Sequence, residues 1–247
     1  MMFFSTTNSN AEMKVMIDPG HGGYDSGAVS YDKKYEEKDL NLDTAIAIRN
    51  KLKKHGVTVY MTRESDKFVS LYERSEMANK IKDLDVLVSV HHNSSKNKSV
   101  YRTEVVYQAK HEKEAQKLAE AISNKLAEIT DDLKIYTRYN KEGTDYYSIL
   151  RRTDTVSNIV EVSFISSEKG YTLVDTHEKR VRNGELVAEG IMDYLGVSYD
   201  EVKETNNLRI EKNNKSNSIL DKLLNSFNVN SNKSKGVSTL YEILNRG

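Results

Sequence analysis

Between residues 13 and 196, short β-branched runs alternate with longer stretches of helical periodicity, and this alternation leaves few architectures open. Residues 14–18, 57–61, 84–90, 103–107 and 158–164 read as strands, and three of these are nearly continuous apolar runs of the kind covered on both faces. Helices are expected at about 39–55, 70–82, 111–129 and 177–195. The first and last are closed by Gly56 and Gly196, and the second is opened by a Ser70/Glu73 capping box. Strand–helix alternation of this kind specifies an α/β fold around a mixed, mostly parallel sheet, whose working groups gather on loops at the carboxyl ends of strands.

The periodicity also sets the domain limits. Residues 1–12 read as a flexible segment, 13–197 as the globular domain and 198–247 as a polar Asn/Lys-rich tail. The tail holds two short amphipathic pieces, Ile219, Leu220, Leu223, Leu224 and Phe227, then Val237, Leu240, Tyr241 and Leu244. Each is shorter than the roughly 12–15 residues at which an isolated helix becomes marginal in water, so each should form by docking. Self-association through residues 219–244 is one such docking. The opening residues lack a basic n-region and do not read as an intact signal peptide. No apolar run approaches the roughly 20 residues of a membrane span.

Composition narrows the chemistry. With 37 basic and 37 acidic residues there is no global field to draw the chain onto nucleic acid. With no cysteine, disulfides and thiol catalysis are excluded, and any metal must be held by His and carboxylate.

Four segments carry that chemistry. The first strand runs into Asp18-Pro19-Gly20-His21-Gly22-Gly23, where the chain's only proline stops a strand and three glycines leave His21 uncrowded. The strand at 84–90 ends in His91-His92-Asn93, so a second imidazole projects at the same sheet edge. Successive strand side chains face opposite ways, so His91 and His92 do not share a target, and His92 is expected as a wall or surface residue. Glu36, Glu37 and Asp39 supply carboxylates just before the first helix, where the helix dipole also favours acids. Glu161 stands inside a β-branched strand, where a carboxylate is rare unless paired or functional.

In this order, those segments together with Glu37-Lys38-Asp39-Leu40-Asn41-Leu42, Thr62-Arg63, Arg74 with Ala78-Asn79, and Glu161-Val162-Ser163-Phe164-Ile165-Ser166 resemble the zinc-dependent N-acetylmuramoyl-L-alanine amidases often called amidase 3. This family includes bacterial autolysins and phage endolysins, and the resemblance covers about residues 13–196. It implies helices on both faces of the sheet, one Zn²⁺ held by His21, Glu37 and His91, and Glu161 as catalytic glutamate. The reaction implied is hydrolysis of the amide between N-acetylmuramic acid and L-alanine in peptidoglycan, by zinc-activated water with Glu161 as general base and then acid. A zinc peptidase cutting within the stem peptide, or an inactive wall-binding protein, are the alternatives. The chain would act at the cell wall, and the lack of a leader favours a phage or prophage lysin.

The sequence departs from the family pattern at His92, Ser163 and Ser166-Ser167. Arg63, Arg74, Asn93, Arg151 and Arg152 are candidate contacts for stem-peptide carboxylates, which suit a bidentate guanidinium, and Tyr146 and Tyr147 are candidates to line a groove.

Overall fold

The computed structural model describes residues 12–199. Twelve elements follow in chain order: β1 (Lys14–Pro19), α1 (Glu37–Lys54), β2 (Thr58–Met61), α2 (Leu71–Asn79), β3 (Val86–Asn93), β4 (Thr103–Tyr107), α3 (Glu112–Leu126), β5 (Leu133–Tyr136), α4 (Ser148–Arg152), β6 (Val156–Phe164), α5 (Glu168–Tyr171) and α6 (His177–Leu195). Residues 1–11 and the amphipathic pieces expected at 219–244 lie outside the described residues. Among the described residues no helix is long and apolar enough to cross a membrane.

The strands form one six-stranded sheet in the order β2-β1-β3-β6-β4-β5. All neighbours pair in parallel except β4 and β6, which run antiparallel. The interior strands β1 and β3 are each buried over five consecutive residues, as cover on two faces requires.

Strand periodicity divides the core in two. Val15, Ile17, Val86, Val88, Val90, Val105, Val160 and Val162 face the helices α1, α3 and α6, against Ile48, Leu52, Leu118, Ile122, Leu186 and Ile191. Met16, Leu87, Val106 and Ile159 face the opposite way, against Ala78 of α2 and Ile149 and Leu150 of α4. Helices therefore cover both faces. Burying a Val, Leu or Ile side chain contributes about 1.5–3 kcal/mol, so the two clusters supply most of what holds the sheet.

The helix ends follow local chemistry. Ser70 Oγ accepts from Glu73 N while Glu73 Oε2 accepts from Ser70 N, which completes the capping box of α2. Gly196 closes α6 with a left-handed φ of 68°. Three elements escape the sequence reading. β5 is a four-residue edge strand with an exposed Lys134, and α4 and α5 are five and four residues long, too short to show a period.

Candidate metal centre and active site

The site sits at the carboxyl edge of β1, β3 and β6, closed by the first turn of α1. Gly20 N donates to Val90 O at 2.9 Å, which carries the β1–β3 ladder one residue past Pro19. His21 then takes a positive φ of 60°, a region that costs most L-residues strain. Two mutual backbone bonds between Gly22 and Asp25 close the turn that follows. Glu37, the first residue of α1, is fixed by the neighbouring loop: its N donates to Ala28 O at 2.8 Å, and its Oε2 accepts from Ala28 N at 2.9 Å.

Glu37 Oε1 is the point of convergence. His21 Nε2 lies 3.2 Å from it and His91 Nδ1 lies 3.0 Å from it. The two imidazoles meet edge to face, with centroids 5.0 Å apart. One ligand atom from each of His21, Glu37 and His91 lies within 4.8 Å of the others. Glu36, by contrast, turns to the surface and pairs with Lys38 Nζ at 3.2 Å.

Two imidazoles and one carboxylate are the donor set of a zinc centre that keeps a fourth position open. The backbone around the ligands fits that use. A Cβ on Gly20 would overlap the His91 imidazole, and one on Gly27 would come 2.6 Å from Glu37 Oε2 and 2.7 Å from His21 Cδ2. Both glycines stand where any side chain would displace a candidate ligand.

Electrostatics tie the three groups together. Burial opposes charge on Glu37, yet the two imidazoles outweigh it and hold the carboxyl well below its usual range. Burial likewise opposes charge on His21, but Glu37 and Asp25 raise its pKa to about 9. Asp25 Oδ2 lies 2.9 Å from His21 Nδ1, off the line of a straight hydrogen bond. His91 is shifted upward too, against its burial, by Glu37 and Glu161.

Glu161 pairs in register with His91 across β3 and β6. Just beyond, the register slips between His91 and Asn93, a bulge of the type that re-aims side chains beside active sites. Glu161 Oε2 is buried and has no hydrogen-bond partner among the described residues, and burial pushes its pKa up to about 7. It is a carboxylate kept close to neutral pH in its proton affinity, beside the candidate ligands.

The remaining sequence candidates have partners within the protein. Arg63 and Arg74 are buried. Arg63 is 1 % exposed and donates to Pro19 O, Gly20 O and Lys38 O; Arg74 is 3 % exposed and donates to Pro19 O, His21 O and Asp18 Oδ1. Both guanidiniums hold the backbone of the His21 loop from beneath. Asn93 donates to Glu104 Oε2 and caps Ser94 N, while the exposed Arg151 donates to the carbonyls of Asp145 and Tyr146. Arg152 lies over the Tyr72 ring, and Tyr146 packs edge to face on Tyr147.

His92 corrects the expectation of a wall or surface residue. It is fully buried, because it continues the Val86, Val88, Val90 row into the core under α1, and burial lowers its pKa to about 3. Sequence reasoning gave no role to Asp18, Asp25 or Asn41, although Asp18 and Asn41 stand within the motifs and Asn41 lies four residues after Glu37, on the same face of α1.

Fold and site together define an α/β protein built around a candidate His–Glu–His metal centre. The chain belongs to the amidase 3 family of N-acetylmuramoyl-L-alanine amidases, whose profile matches residues 15–193. It is 32 % identical over 182 residues to a probable cell wall amidase, LytH, of Staphylococcus saprophyticus, covering 73 % of this chain and 58 % of that relative's length. Among solved structures it is similar to Cwp6 from Clostridium difficile, with a TM-score of 0.72, 34 % identity and coverage of 76 % of this chain and 30 % of the other. The catalytic domain of CwlV, an N-acetylmuramoyl-L-alanine amidase from Paenibacillus polymyxa, is matched with a TM-score of 0.67 and 30 % identity, over 75 % of this chain and 99 % of that domain.

Proposed function

We propose that residues 13–197 form the catalytic domain of a zinc amidase acting at the cell wall, which hydrolyses the amide between N-acetylmuramic acid and L-alanine in peptidoglycan. The observation that carries the reading is the pairing of Glu161, with its buried and unpartnered Oε2, against His91 of the three convergent ligands. The names of the relatives support the choice of bond. An amide is hard to hydrolyse because water is a poor nucleophile and an amide anion a poor leaving group.

His21, Glu37 and His91 would hold one zinc ion, whose Lewis acidity lowers the pKa of water from about 15.7 to about 7 and stabilises charge developing on a carbonyl oxygen. Glu161 takes the proton of the attacking water through its carboxylate. The same group returns that proton to the departing L-alanine nitrogen, so one residue serves as base and then as acid. In the metal-free site burial raises the Glu161 pKa, which favours its second role as proton donor.

The test is incubation with isolated peptidoglycan, with and without chelator, and identification of the new ends by mass spectrometry. New L-alanine amines on intact glycan, lost with chelator and restored by zinc, are the expected result. Cleavage inside the stem peptide would replace the amidase with a peptidase at the same centre. Bound zinc with no cleavage of several wall types would leave a wall-binding protein.

A further inference from the structure

Behind Glu37 lies a buried polar chain that the reaction itself does not use. Asn41 Nδ2 donates to Gly20 O at 3.2 Å and to Glu37 Oε1 at 3.3 Å. Its Oδ1 lies 2.7 Å from His92 Nδ1. Asn41 and His92 are both wholly buried, and His92 comes from the strand residue next to the candidate ligand His91.

The hydrogen positions follow from the acceptors. Gly20 O and Glu37 Oε1 are both acceptors, so the amino group of Asn41, not its oxygen, must face them. Its oxygen then faces His92, and His92 must donate through Nδ1–H, since two bare acceptors at 2.7 Å would repel. The neutral ring is therefore the Nδ1–H tautomer. Its Nε2 is left with a buried lone pair and no partner among the described residues. Without the His92 donor, Asn41 Oδ1 would be a buried orphan, and a half-turn of the carboxamide would press that oxygen against the Glu37 carboxylate.

The oxygen concerned is the one at which the three ligands converge. Glu37 Oε1 faces both imidazoles, while Glu37 Oε2 is held by Ala28 N. We propose that His92 is a positioning residue for the metal ligand Glu37, acting through the carboxamide of Asn41. This rests on the metal reading above and extends it to a residue that touches neither metal nor substrate. Partners one step behind the ligands commonly tune metal affinity by about 10- to 100-fold.

The experiment compares zinc affinity, by chelator competition on the full chain, for wild type, His92→Leu and His92→Asn. Leucine fills most of the volume but cannot donate; asparagine leaves a gap but places an N–H near the position of Nδ1–H. The proposal expects the zinc Kd to rise about 10- to 100-fold for His92→Leu and to recover most of that for His92→Asn. A role in packing alone gives the opposite order and overturns the proposal, as do two variants that bind zinc like wild type. Should either variant fail to fold, ¹⁵N spectra of the wild-type imidazoles decide: His92 protonated at Nδ1 supports the proposal, and protonated at Nε2 overturns it. Wild type that takes up no zinc removes the metal reading and the proposal with it, an outcome distinct from unchanged variants of a zinc-binding chain.

Discussion

Glu161 and His91 face each other across the parallel pairing of β6 and β3, on the same side of the sheet, with a register slip immediately after them. The pairing fixes the distance between a candidate base and a candidate metal ligand by backbone hydrogen bonds rather than by loop conformation. A site built on strands holds its geometry more tightly than one built on loops.

Replacing Glu161 by Gln keeps the shape and removes the proton carrier. The variant is expected to bind zinc with wild-type stoichiometry and to lose about 100- to 10,000-fold in kcat, the usual contribution of a positioned general base. Metal analysis and turnover on isolated peptidoglycan, measured on the same preparation, check both halves. Near-wild-type turnover would remove Glu161 from the mechanism.

Gly20 and Gly27 test the cradle. A Cβ on Gly20 would strike the His91 ring, and Gly27→Ala would meet Glu37 and His21 at a residue whose φ is +65°. Both variants are expected to fold with unchanged far-UV circular dichroism and to bind zinc at least about 10-fold more weakly. Gly56→Ala is the control. It shares the positive φ but has nothing within 4 Å, so it should lose about 1 kcal/mol of stability and no zinc affinity.

The frame of this site was legible because strand periodicity is a strong signal. The apolar runs of β1 and β3 locate the interior of the sheet, and His21 and His91, which follow them, lie at its edge. β5 gave no such signal, since only four residues pair there and their burial does not alternate cleanly. His92 was misread because alternation says that it faces away from His91 but not what lies on that other side; here it is the α1 and α6 core. For Arg63 and Arg74 the sequence leaves the partner open for a related reason. A guanidinium that suits a substrate carboxylate suits Asp18 and a row of loop carbonyls equally well, and only tertiary packing decides between them.

Arg74 and Asp18 form a buried ion pair at 2.7 Å, and Thr62 and Ser89 also donate to the carboxylate. These partners hold Asp18 below its usual pKa in spite of burial. Arg74→Met leaves that charge uncompensated and frees the His21 carbonyl, so it should cost about 3–5 kcal/mol in urea unfolding. Asp18→Asn in the same chain should recover part of the loss. A cost under about 1 kcal/mol for Arg74→Met alone would show that the pair is not what anchors the loop.

Zinc uptake should be strongly dependent on pH, with a sign set by the metal-free histidines. Burial works against charge on His21, but Glu37 and Asp25 raise its pKa to about 9, and His91 shifts in the same direction. At neutral pH metal-free His21 is therefore protonated, whereas a metal needs the neutral ring, so binding must release protons. Affinity should rise between pH 6 and 8, by roughly 10-fold per pH unit if one proton leaves and roughly 100-fold if two leave, and level off above about pH 9. The metal-free fold should respond in the opposite sense. A histidine whose folded pKa is raised contributes stability that is complete below its ordinary 6.5 and is lost as pH climbs through about 9. Chelator competition from pH 6 to 9.5, with thermal melts of metal-free and zinc-loaded chain, reads both effects. An affinity that stays flat between pH 6 and 8 would mean that the imidazoles are already neutral, and that Glu37 and Asp25 do not govern their charge.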